Sequence, residues 1–130
     1  MFLGSGSYNF NTIEYGNSGV VSLSIDQLTT SGTPDISSNY DYAHKILRAD
    51  TTFTNIGVTN TNRFSLVSGV GNTTGERANG VIYCFNFNNA SEYSFMTIEG
   101  ASFYASTIND VAQTTGGIVH TVAQSCDGVQ

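Results

Sequence analysis

Residues 80–104, GVIYCFNFNNASEYSFMTIEGASFY, carry the strongest pattern in the chain. Aromatic and β-branched residues alternate with other residues on both sides of positions 88–90, and this period of two is typical of β-strands. The pattern predicts a central β-hairpin. Because apolar residues occur on both faces, we expect one face to be covered by the core and the other by a second sheet or a neighbouring subunit. The predicted first face carries Val81, Tyr83, Phe85, Phe87, Tyr93, Phe95, Thr97 and Glu99, and the second carries Ile82, Cys84, Asn86, Met96 and Ile98.

The composition indicates one all-β domain. The chain has 130 residues, of which only 11% are charged, against about 25% in typical globular domains. Gly, Ser, Thr and Asn replace the charged residues, as in strands and tight turns. Seven or eight short strands separated by turn signals predict a single antiparallel β-sandwich, jelly-roll-like in arrangement. We assign residues 19–130 to this sandwich and leave residues 1–18 as either an N-terminal arm or an edge strand.

The chain outside the hairpin supplies the other strands. Residues 20–25 alternate as a strand, whereas 27–39 is predicted to be a loop with a short helical turn at 35–38. Residues 40–50 fit either a helix face or a strand, and the β-rich surroundings favour a strand. A polar loop is expected over 106–117, followed by a last strand over 118–123.

The charge excludes two classes of partner. The formal net charge is −6, and the chain has only four basic residues. A protein surface that binds nucleic acid or anionic lipid requires a basic stripe, and four basic residues cannot form one. No apolar run has the length of a membrane span or a signal peptide. We therefore expect a protein made in the cytoplasm that neither binds nucleic acid nor inserts into a membrane.

No motif for catalysis, cofactor binding or metal binding is present. His44 and His120 are the only histidines, and we expect both to be surface or sheet-packing residues. Carboxylate pairs that could serve a glycosidase are close only in the chain, so we predict that the protein is not an enzyme. Cys84 is expected to be a small buried hydrophobe, and a disulfide between it and Cys126 is left open.

The aromatic residues are the candidate contact residues. Rings that carry hydroxyl groups suit protein interfaces and can also stack on sugar rings, and the interface function is the commoner one. Aromatics near the N-terminus would serve an arm that docks on a partner. We predict an interface that contains Tyr83, Phe85, Phe87, Phe95, Tyr8 and Phe10, and possible glycan contacts at Tyr40, Tyr42, Tyr93 and Tyr104.

Three segments resemble a family of tailed-bacteriophage proteins, the small β-sandwich domains of tail fibres and other virion proteins of marine and cyanobacterial phages. The first segment is YDY at 40–42 with Leu47, the second is VGNTTGE at 70–76, and the third is GVIYCFN at 80–86. An aromatic-rich strand over 95–104 follows them, so the resemblance covers about residues 38–126. Such domains usually continue with one or two more strands after the region that corresponds to 118–122.

The resemblance implies a virion protein without catalytic residues, located in the virion after synthesis in the host cytoplasm. Partners would be other virion proteins, copies of the same chain, with a trimer as the expected state, and a host-surface glycan. Pairing between copies would cover an exposed edge strand. The main hypothesis is a tail-fibre, tail-associated or capsid-attached component; the alternatives are a carbohydrate-binding host-recognition module and an enzyme that acts on surface polysaccharide.

Overall fold

The computed structural model describes residues 6–11, 21–70, 77–104 and 110–130, and it confirms the all-β class. Every strand pair among these residues is antiparallel. The described residues form ten strands, named in chain order: β1 (Gly6–Asn11), β2 (Val21–Ile25), β3 (Gln27–Thr29), β4 (Tyr40–Arg48), β5 (Phe53–Thr61), β6 (Phe64–Val70), β7 (Ala78–Phe85), β8 (Ser94–Tyr104), β9 (Asp110–His120) and β10 (Cys126–Val129).

Six strands form the main sheet, in the order β1-β7-β8-β9-β4-β5. The remaining strands lie off this path: β2 pairs with β6, and β6 joins β8 through a single pair, Val70 with Tyr104. β10 and β3 make a separate two-stranded sheet. The strands β6, β4 and β9 are in contact, so the β2–β6 ribbon covers one face of the main sheet as the second layer of a β-sandwich.

The core lies between these two layers. In an antiparallel pair, residues that face each other across the ladder lie on the same side of the sheet, so the register defines which residues meet. Cys84 pairs with Met96, and Ile82 pairs with Ile98. The buried residues of this core cluster include Tyr40, Phe64, Leu66, Val67, Ile82, Cys84, Phe87, Met96, Ile98, Ile118 and Cys126.

The predicted hairpin is confirmed as β7 and β8, with Phe85 paired to Phe95. One residue, Phe87, was predicted on the wrong face of the hairpin. Asn86 has a left-handed backbone, with φ of 61°. This conformation ends the strand and its alternation, so Phe87 is fully buried in the core and belongs to the opposite side. The prediction that Phe87 forms part of a surface interface was therefore wrong.

Several other strands differ from the prediction. Residues 40–48 are a strand, as predicted, but the turn at Asp35–Ser38 is a bend rather than a helical turn, and Gln27–Thr29 within the expected loop is β3. β9 begins at Asp110, where a loop was expected. Its core-facing positions before Ile118 are Ala112, Thr114 and Gly116, which are too small or too polar to show a hydrophobic alternation.

The N-terminal segment contributes β1, an edge strand that pairs with β7. Predictions made for residues 1–5 and 12–18, for the turn over 71–76 and for the side chains of Tyr8, Phe10 and Tyr104 lie outside the described part of the structure. Among the described residues, no helix has the length and apolar character needed to cross a membrane.

Candidate interaction surface

The side of the main sheet that faces away from the core is the candidate site, and we call it the open face. Its described side chains come from β7, β8, β9, β4 and β5; β1 continues the sheet beyond β7, but its side chains lie outside the described part of the structure. The strand register arranges the described side chains in rows that run across the sheet. Row 1 contains Phe85, Phe95, Val119, Asp41 and, across a register shift, Thr59. Row 2 contains Tyr83, Thr97, Gly117, Ala43 and Gly57; row 3 contains Val81, Glu99, Thr115, Lys45 and Asn55; row 4 contains Asn79, Ala101, Gln113, Leu47 and Phe53.

Three aromatic residues on β7 and β8 form a raised patch that we call the aromatic ridge. Tyr83 is 44% exposed, Phe85 is 44% exposed and Phe95 is 46% exposed. Phe85 and Phe95 are direct cross-strand neighbours, and Tyr83 follows in the next row. Contiguous exposed aromatic groups on one face mark interaction sites, whereas single exposed apolar residues need no explanation.

A groove of about 560 Å³, which we call the trough, lies beside the ridge. Its floor follows row 2, where Gly117, Ala43 and Gly57 place almost no side chain above the sheet. Phe95 and Thr97 line its β8 side, and the groove extends to Thr59 on β5. The open face therefore combines a ridge of large side chains with a trough of small ones.

Among the described residues, three charged side chains lie on the open face: Asp41, Glu99 and Lys45. Glu99 and Lys45 belong to the same row and lie on either side of β9. Their backbones are therefore two strand spacings, about 9.6 Å, apart. The ammonium of Lys45 lies 5.2 Å from the centre of the Phe53 ring, a cation–π contact that keeps the charge on this face. Asp41 accepts a hydrogen bond of 2.8 Å from the backbone of Asn60.

Three of the four predicted glycan-contact tyrosines have described side chains, and their surroundings differ. Tyr40 is fully buried, and its hydroxyl donates to the Asp35 carbonyl at 2.8 Å, so the prediction that it contacts a sugar was wrong. Tyr42 is half-buried and stacks on the His44 ring at 5.3 Å. Tyr93 is exposed, at 47%, in the loop between β7 and β8. Stacking on a sugar requires an exposed ring, and of these three tyrosines only Tyr93 has a largely exposed side chain.

A buried polar network forms a second cluster, at the end of the sandwich near β3 and β10. Asp35 accepts hydrogen bonds from the backbone of Ser37 at 2.9 Å, from His120 Nε2 at 2.8 Å and from Gln124 at 3.1 Å. Burial raises the pKa of the Asp35 carboxyl, but these hydrogen bonds outweigh burial and the pKa is lowered. Asp35 is thus ionised at neutral pH and ties the loop after β3 to β9.

This buried polar network serves to hold the fold together. His120 is fully buried and packs on the Tyr40 ring at 5.0 Å. Cys126 donates to the Gln27 side chain at 3.0 Å, and burial raises its pKa to about 11. A nucleophilic cysteine requires a lowered pKa, so this thiol lacks the activation that nucleophilic catalysis needs. Cys84 and Cys126 are both free buried thiols and do not form the disulfide left open by the sequence.

Both histidines prove to be sheet-packing residues. His44 is only 6% exposed, and neither of its ring nitrogens has a hydrogen-bond partner. Burial lowers its pKa below 6.5. Within the described ranges, no group of three or more histidine, cysteine, aspartate and glutamate side chains is placed to hold a metal ion.

Comparisons with protein-family models, with curated proteins and with solved structures found no match. The function must therefore be inferred from the geometry of the open face.

Sequence reasoning found the aromatic ridge but missed the trough. Tyr83, Phe85 and Phe95 were identified because they alternate within one hairpin. The trough is made by Gly57, Ala43 and Gly117, which come from three strands that are distant in the chain. A small residue has no hydrophobic signal of its own, so only the register of β9 with β4 and of β4 with β5 brings these positions together.

Proposed function

We propose that the chain is a structural component that assembles with other protein subunits through its open face. The observation that carries the proposal is the aromatic ridge beside the apolar trough, on a sheet face that no described part of the chain covers. The resemblance to tail-fibre and related domains supports the bacteriophage virion as the setting. In that setting the partners are copies of the chain and other virion proteins.

The free energy gained by burying the aromatic ridge indicates how much of the open face a partner must cover. Fully burying an exposed aromatic side chain stabilises by about 1.5–3 kcal/mol, and the ridge residues are already more than half covered. Covering all three would therefore contribute about 2–4 kcal/mol. Association costs about 4–15 kcal/mol of lost freedom, so the ridge alone cannot hold a complex. A stable assembly must also cover the trough and the flanking rows.

The open face also argues against a host-glycan site as the main function. Sugar binding needs polar groups that are aimed at ring hydroxyls beside a stacking aromatic. The exposed aromatic that lines the trough is Phe95. Asp41, Thr59 and Thr97 are polar residues of the lining, but the floor beside Phe95 is glycine and alanine. These side chains suit apolar protein surface.

Sedimentation velocity of the purified chain over a range of micromolar concentrations tests the proposal. We expect a species larger than a monomer, and we expect Phe95→Ser to weaken association about tenfold or more, as for an aromatic at the centre of an interface. Ile36→Ser is the matched control, because Ile36 is 62% exposed in the loop between β3 and β4 and belongs to none of the rows of the open face. A folded wild-type chain that stays monomeric throughout would overturn self-assembly. Equal effects of both substitutions on an associating wild type would overturn the use of the open face.

The virion setting is tested separately, by locating the chain in a cryo-EM map of intact phage particles. We expect density for the sandwich with its open face against another subunit. A particle that contains the chain with this face exposed to solvent would contradict the proposed use of the face.

A further inference from the structure

We propose that the partner on the open face is a second copy of this chain, related by a two-fold axis that runs along β9 in the plane of the interface. This inference rests on the proposed function and specifies the partner and its orientation. A two-fold pairing gives a dimer, so it differs from the trimer expected from the resemblance. Four properties of the open face support the dimer: its strand order, its shape, its charges and its area.

The strand order places complementary halves opposite each other. β9 is the middle one of the five strands whose open-face side chains are described, β7-β8-β9-β4-β5. β1, the sixth strand of the sheet, lies beyond β7 and would extend past β5 of the second copy. A two-fold rotation about β9 lays β8 of one copy over β4 of the other, and β7 over β5. Because the axis is parallel to the strands, each row faces the same row of the second copy. Stacked sheets lie about 10 Å apart with their strands turned by about 30°, so the match is closest near the axis.

The shapes of the facing halves then agree. In row 2, Tyr83 of one copy faces Gly57 of the other, and in row 1 Phe85 faces Thr59. A Cβ atom added at Gly57 would meet no atom within 4 Å, so the space above this glycine is open in the single chain. The aromatic ridge of each copy thus enters the trough of the other, twice in the dimer. An isologous interface requires this kind of self-complementary surface.

Two of the three charges on the open face are matched, whereas Asp41 in row 1 faces Phe95 of the second copy. In row 3, Glu99 on β8 faces Lys45 on β4 of the second copy, and the two-fold axis repeats the pair. Opposite charges that face each other fix the register of an interface and disfavour other orientations. A parallel displacement of one copy by a strand would separate the pair. The Glu99–Lys45 contact therefore selects the axis along β9.

The area is sufficient for a stable dimer. Five strands about 4.8 Å apart and four rows about 6.8 Å apart give the open face a projected area of about 650 Å². Specific interfaces bury about 800 Å² of accessible surface per partner, and a ridged surface has more accessible than projected area. The open face thus matches the size of a standard interface.

Charge reversal at the facing pair is the test of the axis. Glu99→Lys places lysine against Lys45 of the second copy, and Lys45→Glu places glutamate against Glu99. We expect each single variant to weaken dimerisation about tenfold or more, and the double variant to restore it to within about threefold of the wild type. Like charges brought together cost several kcal/mol, which is a hundredfold effect at full burial.

Two controls match the change in net charge. Glu92→Lys changes the charge as Glu99→Lys does, but Glu92 lies in the loop between β7 and β8 and bonds to Asn86 at 3.2 Å. Arg63→Glu matches Lys45→Glu and lies beyond the end of β5. We expect neither control to change the dimer dissociation constant more than about twofold.

Filling the trough is the second test. Here the substitution is expected to leave the stability of the fold unchanged or raised while it weakens association. Gly57→Val adds a β-branched side chain where there is room, so the fold should keep its stability or gain some. Association should weaken about tenfold or more, because the added methyl groups occupy the space that Tyr83 of the second copy would enter. If the Gly57→Val variant still dimerises with wild-type affinity, the ridge-in-trough arrangement is wrong.

The outcomes separate this inference from the proposed function. If the wild type is a monomer, self-assembly itself has failed. If the wild type self-associates and Phe95→Ser disrupts it, but the double charge reversal does not restore affinity, the open face is used and the axis along β9 is wrong. A trimer of wild-type chains also overturns the axis and leaves the proposed function intact.

Discussion

The two adjacent glycines of β9, Gly116 and Gly117, should respond in opposite ways to the same substitution. Gly116 faces the core side and Gly117 faces the open side of the sheet. A Cβ atom at Gly116 would lie 2.4 Å from the Ala43 carbonyl oxygen, 2.4 Å from His44 Cβ and 2.6 Å from His44 Cα. At Gly117 the nearest atom would be the Met96 carbonyl oxygen, at 3.9 Å, which is an ordinary contact. We therefore expect Gly116→Ala to destabilise the fold and Gly117→Ala to be tolerated.

The size of the difference follows from two opposing terms. Replacing glycine by alanine restricts the unfolded chain and stabilises the fold by about 0.4–1 kcal/mol where the backbone permits it. Overpacking costs about 1–3 kcal/mol, and at Gly116 the atoms in the way are backbone atoms and a Cβ, which cannot rotate aside. We expect a net loss of about 2 kcal/mol for Gly116→Ala and a gain of up to about 1 kcal/mol for Gly117→Ala.

Urea unfolding at submicromolar concentration measures both variants without a contribution from association. For a domain of this length, the difference of about 3 kcal/mol corresponds to roughly 12 °C in the melting temperature. Equal stabilities of the two variants would show that Gly116 of β9 does not lie against Ala43 and His44 of β4. Since the same pairing of β9 with β4 also builds the trough, the result would remove the basis of both proposals.

Three further predictions concern the buried polar groups. Stability should fall below pH 6.5, by up to about 1.4 kcal/mol per pH unit, because the unfolded state protonates His44 while burial keeps its folded pKa lower. A His44→Leu variant with the same pH profile of urea unfolding would contradict this assignment. Cys84 and Cys126 should resist a thiol reagent in the native protein and react in denaturant, since burial raises their pKa values to about 12 and about 11; rapid labelling of the native chain would refute their burial. Asp35→Ala should cost about 2 kcal/mol in urea unfolding, because the charge-assisted bond to His120 is lost, and a loss below about 0.5 kcal/mol would mean that the network is not stabilising.

Local patterns predicted the elements whose faces differ strongly in polarity. The hairpin of β7 and β8 was visible because large apolar residues alternate on both of its faces. β4 was recognised as a strand although Tyr42, Ile46 and Leu47 also fit one side of a helix. Tyr40 was predicted as a possible glycan contact because tyrosine rings can stack on sugars. In the folded chain its hydroxyl accepts a hydrogen bond from the backbone of Gln27, which lets the ring be fully buried.

The elements that were missed depend on long-range pairing. The first half of β9 has alanine, threonine and glycine at its core-facing positions, and these become core residues only because β4 and β8 lie on both sides. Phe87 left its predicted face because one residue before it, Asn86, adopts a left-handed conformation. Neither the pairing partner nor that backbone angle is encoded in the hydrophobic period of the segment itself.

The distribution of charge explains how an acidic chain can present an association surface. The chain has a formal net charge of −6, so two copies repel each other at long range. Of the eight acidic residues in the described ranges, only Asp41 and Glu99 lie on the open face, and Lys45 offsets one of them. At physiological salt, charges more than about 8 Å apart are largely screened, whereas facing groups within an interface are not. The remaining acidic residues therefore oppose contact through other surfaces more than through the open face, and the one basic residue on that face lies where the two-fold pairing brings Glu99 of the second copy.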